Sequence, residues 1–260
     1  MKRDGDHLHV WRTGAVLRIA MNHPERRYAM DAGDLRRLAS TVETSQKEAA
    51  IRTILLTGRG SFFCAGADVS PDSLGPSPTD ELITAAQQAA RALHIVDKPV
   101  VAAVNGPAAG IGVSLALAAD LIVACSSAYF LAAFTKIGLM PDGGLGVLLP
   151  AAIGRVRAMD MCLRAERVGA DEAAAWGLIN EVVADPDFEG RINAVCCSLS
   201  EGPTEAFAST KRLLNAATGA ELEKAFESER SERLRLLNTA DRAEGIASFR
   251  DKRQPRFVGA

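Results

Sequence analysis

Two short stretches of small residues could present backbone N–H groups to a bound carbonyl oxygen. The first is FCAGAD at 63–68, and the second is NGPAAGIG at 105–112. Glycine and alanine let a ligand approach the backbone closely, and the second stretch opens a helix whose first N–H groups lack intrahelical partners. Such groups can stabilise an oxyanion. Small residues at a turn can also serve to pack a helix closely on a sheet, which is the alternative interpretation of either stretch alone.

An apolar run of strand length precedes each stretch and must position it. TILLT at 53–57 and VVAAV at 100–104 have the β-branched and small apolar residues of buried strands. Asn105, Gly106 and Pro107 are a turn signal that ends the second strand, and a helix is predicted over 110–119. The two strand-and-turn units could each supply one N–H group to the same oxygen. Alternating strands and helices predict an α/β protein.

Length and composition restrict the functional class. The chain has 260 residues, 48% of them hydrophobic, and a formal net charge of −2, which predicts one sizeable core and disfavours nucleic-acid binding. The five cysteines are odd in number and lack metal-ligand spacing, so we expect reduced thiols of a cytoplasmic protein and no metal site. The N-terminus lacks an apolar signal region, and the longest apolar stretch, 107–119, is too short to span a bilayer. We therefore expect no membrane partner.

Periodicity and turn signals predict the remaining elements. Residues 10–20 suit a hairpin interrupted by Gly14, and Asp31 is a candidate helix N-cap. The Ser/Pro-rich segment 71–80 predicts a loop that could cover the site, and the glycines between 138 and 146 predict another loop. Pro203 and Gly219 are predicted breaks in a helical C-terminal region. Further helices are predicted over 31–49, 82–96, 155–164, 170–177 and 221–239, and further strands over 121–124 and 178–183.

Four motifs together give the chain a resemblance to one family. FCAGAD, NGPAAGIG, GLMPDGG at 138–144 and AWGLINEV at 175–182 occur in this order, and they resemble the motifs of the crotonase (enoyl-CoA hydratase/isomerase) superfamily over nearly the whole chain. The resemblance implies a superhelix of repeated ββα units followed by helices that drive trimerisation. It divides the chain into an acyl-CoA-binding core at 1–200 and a C-terminal oligomerisation region at 201–260, and it implies a homotrimer or hexamer.

The resemblance also implies a set of site residues. The N–H groups of Ala67 and Ile111 would polarise the thioester carbonyl and stabilise an enolate. CoA would enter as part of the substrate, with no separate cofactor. Residues implied to bind the substrate or its CoA part are Arg26, Arg27 and Ala29 near the nucleotide, Ala65, Gly66, Asp68 and Gly110 at the two turns, Phe134 at the acyl group, and Lys252 and Phe257, which could reach the CoA of a neighbouring subunit.

The acid–base residues of the family indicate which reaction to expect. In hydratases of the family two glutamates activate water and protonate the α-carbon, and those positions are Ser114 and Phe134 here. Neither side chain is a useful general base. Asp142 in GLMPDGG is the remaining carboxylate, and one carboxylate suffices to remove a proton at one carbon and return it at another. We therefore predict an enoyl-CoA isomerase with Asp142 as its proton shuttle.

Other functions stay open at this point. Asp142 could belong to an ordinary Pro-Asp-Gly-Gly turn, in which its side chain accepts backbone hydrogen bonds. The chain could be a hydratase that uses Asp142 or another acid. It could be a binding or regulatory protein that keeps the acyl-CoA pocket without catalysis. A dehalogenase or thioester hydrolase would use Asp142 as a nucleophile.

Overall fold

The computed structural model describes residues 7–70 and 81–260, so the loop predicted at 71–80 lies outside the described residues. Short 3₁₀ helices span Pro24–Arg26, Ala133–Ile137 and Asp185–Asp187. The strands are β1 (Leu8–Thr13), β2 (Val16–Met21), β3 (Thr53–Gly58), β4 (Val100–Val104), β5 (Ala108–Ala109), β6 (Leu121–Cys125), β7 (Tyr129–Leu131), β8 (Val168–Gly169) and β9 (Glu181–Val183). The helices are α1 (Ala32–Ser45), α2 (Glu81–Ile95), α3 (Ile111–Leu117), α4 (Leu145–Arg164), α5 (Ala170–Trp176), α6 (Phe188–Glu201), α7 (Thr204–Leu237) and α8 (Ala240–Asp251).

The main sheet aligns the strands that precede the two small-residue turns. Its strand order is β1-β2-β3-β4-β6-β9. The β1–β2 hairpin is antiparallel, whereas β2–β3, β3–β4, β4–β6 and β6–β9 are parallel pairs. Parallel neighbours end at the same edge of a sheet, where ligands commonly bind. The turns after β3 and β4 therefore leave the sheet side by side.

A second, short sheet supports the turn after β4. Its order is β5-β7-β8, with Ala108 of β5 paired to Phe130 of β7. An isolated parallel bridge joins Ala108 to Cys64 in the turn after β3. Because Ala108 is bridged on both sides, this sheet fixes the second turn against the first.

Two helices pack against each other on the main sheet. Asp31 begins α1 with a capping box, in which its side chain accepts from Asp34 N–H and the Asp34 side chain accepts from Asp31 N–H. The alanines of α2 are largely buried and let α1 approach closely. The predicted N-cap is thus confirmed. Helix α1 ends at Ser45, before the predicted end at residue 49, and the N–H groups of Gln46 and Lys47 donate turn hydrogen bonds there.

The long helix α7 continues through a position where the sequence predicts a break. Gly219 lies inside Thr204–Leu237, so that prediction is wrong, whereas Pro203 does precede the helix. One glycine costs a helix about 1 kcal/mol relative to alanine. Burial of Leu222 and Phe226, at 1% and 2% exposure, outweighs that cost.

Helix α4 also differs from its prediction. It begins at Leu145, ten residues before the predicted start at 155, and Gly154 at φ +76° kinks it there. The loop predicted to 146 therefore ends at Gly144. The final strand of the main sheet covers Glu181–Val183, within the predicted 178–183. Among the described helices, none is both long and apolar enough to cross a membrane.

Candidate active site

The two small-residue turns lie directly against each other. Ala109 N–H donates to the Cys64 carbonyl at 2.8 Å, and Cys64 N–H donates to the Pro107 carbonyl at 3.2 Å. Gly66 and Gly110 have φ of +108° and +51°, and a Cβ on Gly66 would lie 3.1 Å from the Ala109 carbonyl oxygen. Positive φ and this close approach both require glycine. The contact places Ala67 and Ile111 at the same end of the sheet.

Two backbone donors remain available beside this contact. The neighbouring N–H groups are used: Ala65 donates to Arg27 O, Asp68 to Met30 O, and Gly110 to Leu131 O. Within residues 7–70 and 81–260, no acceptor lies within hydrogen-bond distance of Ala67 N–H or Ile111 N–H. Ile111 is the first residue of α3, where N–H groups have no intrahelical acceptor. Both residues line the same cavity.

That cavity has a volume of about 120 Å³ and a mainly apolar wall. The two turns form one side of it, and the 3₁₀ helix after β7 forms another. Arg233 on α7 and Phe249 on α8 complete the wall, so the C-terminal helices contribute to the site. Its described lining residues are Ala65, Gly66, Ala67, Val69, Gly110, Ile111, Ala133, Phe134, Lys136, Ile137, Leu139, Asp142, Arg233 and Phe249.

Asp142 carries a carboxylate into this wall. It lies just before α4, is 6% exposed, and its Oδ2 accepts a hydrogen bond from Arg233 Nη1 at 2.9 Å. Burial raises the pKa of Asp142, and the positive charge of Arg233 opposes that rise. The Asp142 side chain is therefore directed to a partner across the cavity wall rather than to the N–H groups of its own turn.

Arg233 lines the cavity and Glu229 supports the turn beside it, and neither residue is predicted from the sequence. They lie one turn apart on α7, and both are buried. Glu229 accepts from Gly144 N–H at 2.9 Å and from Gln87 Nε2 at 3.1 Å. Burial, together with the charge of Asp142, raises the Glu229 pKa to about 7. The spacing of four residues was the available signal, but in a helix this rich in charges such a pair usually faces solvent.

Ser114 and Phe134 occupy the wall in different ways. The Ser114 hydroxyl is fully buried and donates to the Asp142 carbonyl oxygen at 2.7 Å, so it holds the backbone of the GLMPDGG turn. Phe134 is 6% exposed and lines the cavity. At these two positions the Ser114 hydroxyl is already hydrogen-bonded to the backbone, and the Phe134 side chain is an aromatic ring without a proton to exchange.

A larger groove of about 750 Å³ shares Ala65, Ala67, Val69, Ala133 and Phe249 with the cavity. Its basic residues include Arg26, Arg27, Arg167, Arg250 and Lys252, and Ala29 and Asp68 also line it. Arg26 forms an ion pair with Asp68, and the Arg167 guanidinium lies 4.5 Å from the Tyr129 ring centroid. The structure thus brings the predicted Arg26, Arg27, Ala29, Asp68 and Lys252 together within one chain. Phe257 is 43% exposed and is not among the described residues that line the groove.

A separate cluster of potential metal ligands serves a structural purpose. Ligand atoms of His7, Asp31 and Asp34 lie within 4.8 Å of one another. The two carboxylates already accept backbone N–H groups in the capping box of α1, and His7 Nδ1 lies 3.1 Å from Asp34 Oδ2. The His7 ring also stacks on His23 at 3.8 Å between centroids. The cluster therefore caps α1 and anchors β1 to it.

Comparisons with known proteins agree over nearly the whole chain. The family model for enoyl-CoA hydratase/isomerase matches residues 12–260. A probable enoyl-CoA hydratase of Rhodobacter capsulatus is 40% identical, with 93% of each chain covered. The 1,2-epoxyphenylacetyl-CoA isomerase of Escherichia coli is 35% identical, covering 94% of this chain and 95% of that protein. The crystal structure of an enoyl-CoA hydratase from Mycobacterium avium subsp. paratuberculosis has a TM-score of 0.91 at 38% identity, covering 97% of this chain and 98% of that one.

Proposed function

The chain belongs to the enoyl-CoA hydratase/isomerase family, and we propose that it moves a double bond along the acyl group of an enoyl-CoA thioester. The family acts on acyl-CoA thioesters. Asp142 is the proposed proton shuttle. The observation that carries this proposal is that Asp142 is the one carboxyl group among the described residues that line the cavity.

The two available N–H groups supply the first part of the proposed mechanism. The thioester carbonyl would accept from Ala67 and Ile111, whose N–H groups have no acceptor in the described chain. As a proton leaves the acyl group, charge develops on this oxygen. Loss of one such donor typically costs about 2.7–4 kcal/mol of transition-state stabilisation.

Asp142 supplies the second part. It would take a proton from the α-carbon, hold it while the dienolate is stabilised, and return it to the γ-carbon. Burial favours the protonated carboxyl and raises the pKa of Asp142, while the charge of Arg233 opposes that rise. A base with a raised pKa is also better matched to proton transfer near neutral pH.

The cavity and the groove suit the two halves of such a substrate. A volume of about 120 Å³ is small and favours a short acyl group. The adjoining groove is several times larger and basic, which suits the phosphates of CoA. CoA is then part of the substrate rather than a resident cofactor.

Hydration is the second candidate, because the Rhodobacter capsulatus relative is named a probable enoyl-CoA hydratase. A hydratase must both activate water and protonate the α-carbon. Phe134 in the cavity wall and the committed Ser114 hydroxyl favour isomerisation, since neither can activate water.

The protein's reaction can be identified by its products in deuterium oxide. The purified protein is incubated with 2-enoyl-CoA and 3-enoyl-CoA thioesters of several chain lengths, and products are analysed for mass and double-bond position. We expect double-bond migration with no gain of water, and deuterium at the α- or γ-carbon in the fraction of turnovers in which Asp142 exchanges its proton with solvent. Addition of water would establish the hydratase instead, and binding without any product would favour a non-catalytic protein.

Self-association through the C-terminal region, together with the exposed side of α4, is also proposed. Leu213 and Leu214 on α7 are 77% and 73% exposed, and Val156 and Leu163 on α4 are 81% and 64% exposed. Burying these side chains against another subunit would remove their apolar surface from water, which favours association. Light scattering of the purified protein should give the mass of a homotrimer or hexamer, and a monomer would contradict this.

A further inference from the structure

The Arg233 guanidinium brings more hydrogen-bond donors to the cavity than the described residues use. A guanidinium has five N–H donors. Nη1 donates to Asp142 Oδ2 at 2.9 Å, and Nε is buried without a partner among the described residues. Nη2 makes no hydrogen bond with the described residues and, unlike Nε, is not among the buried atoms, so it is the donor that a ligand can reach. Arg233 is 5% exposed and lines the cavity. The pair with Asp142 balances the charge of Arg233 but leaves its donors unsatisfied.

An unsubstituted acyl chain would not satisfy these donors. Apart from the exposed Lys136, the side chains of the remaining wall are apolar, such as Ala133, Ile137, Leu139 and Phe249. A hydrocarbon chain filling the cavity would exclude water from the guanidinium and supply no acceptor in its place. Leaving a buried donor unpaired is unfavourable, and more so for a charged group.

A second guanidinium near Arg233, that of Arg242, also has a buried donor without an acceptor among the described residues. Arg242 Nε is buried and has no partner in the described chain. The pKa of Arg242 is lowered by burial and by the neighbouring charges of Arg233 and Arg250. Of the nearby carboxyl groups, Asp142 is paired with Arg233, while Glu229 accepts from Gly144 and Gln87. This region therefore has an excess of donors over acceptors.

We infer that the acyl group of the substrate carries an oxygen atom outside the thioester, and that Arg233 donates a hydrogen bond to it. This inference rests on the proposed function, because it assumes an acyl-CoA in the cavity. A carboxylate, a carbonyl and a hydroxyl oxygen share the required acceptor chemistry. Arg233 would then both hold Asp142 and select the substrate.

Binding to a catalytically impaired protein tests this without relying on turnover. The background is Asp142→Asn, which keeps an oxygen that can accept from Arg233. The probes are saturated acyl-CoA thioesters in matched sets of increasing chain length, ending in a methyl, a hydroxyl or a carboxylate. Dissociation constants are measured by calorimetry, and circular dichroism checks the fold of each variant.

Three second substitutions are compared in that background. Arg233→Met removes all the donors, Arg233→Lys keeps the charge without the planar fork, and Arg235→Met is the control. Arg235 lies on the same helix but is exposed and pairs with Glu232. Because Arg233→Met is combined with Asp142→Asn, it leaves no buried unpaired carboxylate.

At one chain length we expect an oxygen-bearing thioester to bind at least about tenfold more tightly than its methyl-ended counterpart, equal to about 1.4 kcal/mol. The preference should survive Arg235→Met and fall below about twofold with Arg233→Met, the charge-assisted bond being lost. If the carboxylate-ended thioester binds most tightly and Arg233→Lys keeps part of that preference, the natural acyl group is anionic. If the hydroxyl-ended thioester binds most tightly, the acyl group is neutral.

Two results would overturn the inference. In the first, methyl-ended thioesters bind as tightly as the oxygen-bearing ones at every length. In the second, a preference for oxygen persists in the Arg233→Met variant. If no acyl-CoA of either kind binds, the proposed function fails as well, so the two failures are distinguishable.

Discussion

Helix α7 places two buried cations, Lys211 and Arg233, in ion pairs with the core, and the two differ in how fully their hydrogen-bond donors are used. Near its start, Lys211 Nζ donates to Asp120 Oδ2 at 2.8 Å and to the Leu93 carbonyl at 2.9 Å, with the Lys98 carbonyl at 3.4 Å. Asp120 also accepts from Val100 N–H at 2.7 Å. The three donors of the ammonium all have protein acceptors. This closed pair connects α7 to the beginning of β4.

Near the other end of α7, Arg233 pairs with Asp142 at 2.9 Å and lines a cavity. One nitrogen of this guanidinium is committed to Asp142, and Nε has no partner in the described residues. The cations of both pairs are buried, and both pairs join the same helix to the core. The comparison teaches that unused donors beside a cavity, rather than burial of the charges, distinguish a pair that can serve chemistry from one that holds the fold.

The largest expected effect is a loss of turnover when the Arg233–Asp142 pair is changed, whereas a change in the Lys211–Asp120 pair should affect stability. Asp142→Asn should lower isomerase turnover by about 10²–10⁴-fold, the usual contribution of a general acid–base group. Asp120→Asn should instead lower the free energy of unfolding by about 1.5–3 kcal/mol, the usual contribution of a hydrogen bond to a charged group, because it removes the negative partner of Lys211. Steady-state kinetics and denaturant unfolding on both variants measure these effects.

Turnover per folded molecule should be close to wild type in Asp120→Asn. Equal turnover losses in the two variants would contradict the distinction between the Arg233–Asp142 pair, which lines the cavity, and the closed Lys211–Asp120 pair.

A smaller effect is expected from separating the two turns that Asp142 faces. A Cβ on Gly112 would lie 2.7 Å from the Cys64 carbonyl oxygen and 2.9 Å from its Cβ, so Gly112→Ala should push α3 and Ile111 N–H away from the first turn. Loss of one oxyanion donor lowers turnover by about 10²–10³-fold. Turnover is measured alongside thermal unfolding.

Gly146→Ala is the matched control, because a Cβ there meets nothing within 4 Å and the residue also lies in the first turn of a helix. Wild-type turnover in both variants would show that Ile111 N–H does not act on the substrate.

The smallest effect concerns Glu229, which lies one turn before Arg233 and accepts hydrogen bonds from Gln87 on α2 and from Gly144 just before α4. Its pKa is raised from 4.5 to about 7, chiefly by burial. Between these values the folded protein binds more protons at this site than the unfolded chain, so the free energy of unfolding falls as pH rises. Glu229→Gln should remove a slope of at most about 1.4 kcal/mol per pH unit. Unfolding midpoints from pH 5 to 8, under identical buffers, measure this difference, and parallel profiles for wild type and variant would show that Glu229 does not titrate there.

The sequence predicts the two turns better than it predicts the polar network behind them. Glycine and alanine at 63–68 and 105–112 constrain the backbone locally, and the structure places Gly66 and Gly110 in contact. Arg233 is 91 residues from Asp142 and approaches it through the packing of α7. No local rule connects such residues, and a charged pair on a helix usually faces solvent.

The errors at Gly219 and at the start of α4 have a related cause. Glycine interrupts a helix only where the chain adopts a backbone conformation, such as positive φ, that other residues rarely adopt. Gly219 stays helical because its neighbours Leu222 and Phe226 are buried, whereas Gly154 at φ +76° does kink α4. Tertiary packing decides between the two, and glycine alone in the sequence does not.

The proposed shuttle can be tested most directly by following a label from the α-carbon. A 3-enoyl-CoA carrying deuterium at the α-carbon is converted in ordinary water, and the product is analysed for deuterium at the γ-carbon. If Asp142 removes and returns the same proton in a buried site, part of the label should appear at the γ-carbon, and Asp142→Asn should abolish both turnover and transfer. Isomerisation at the wild-type rate in Asp142→Asn, or water addition in place of migration, would contradict the role assigned to Asp142.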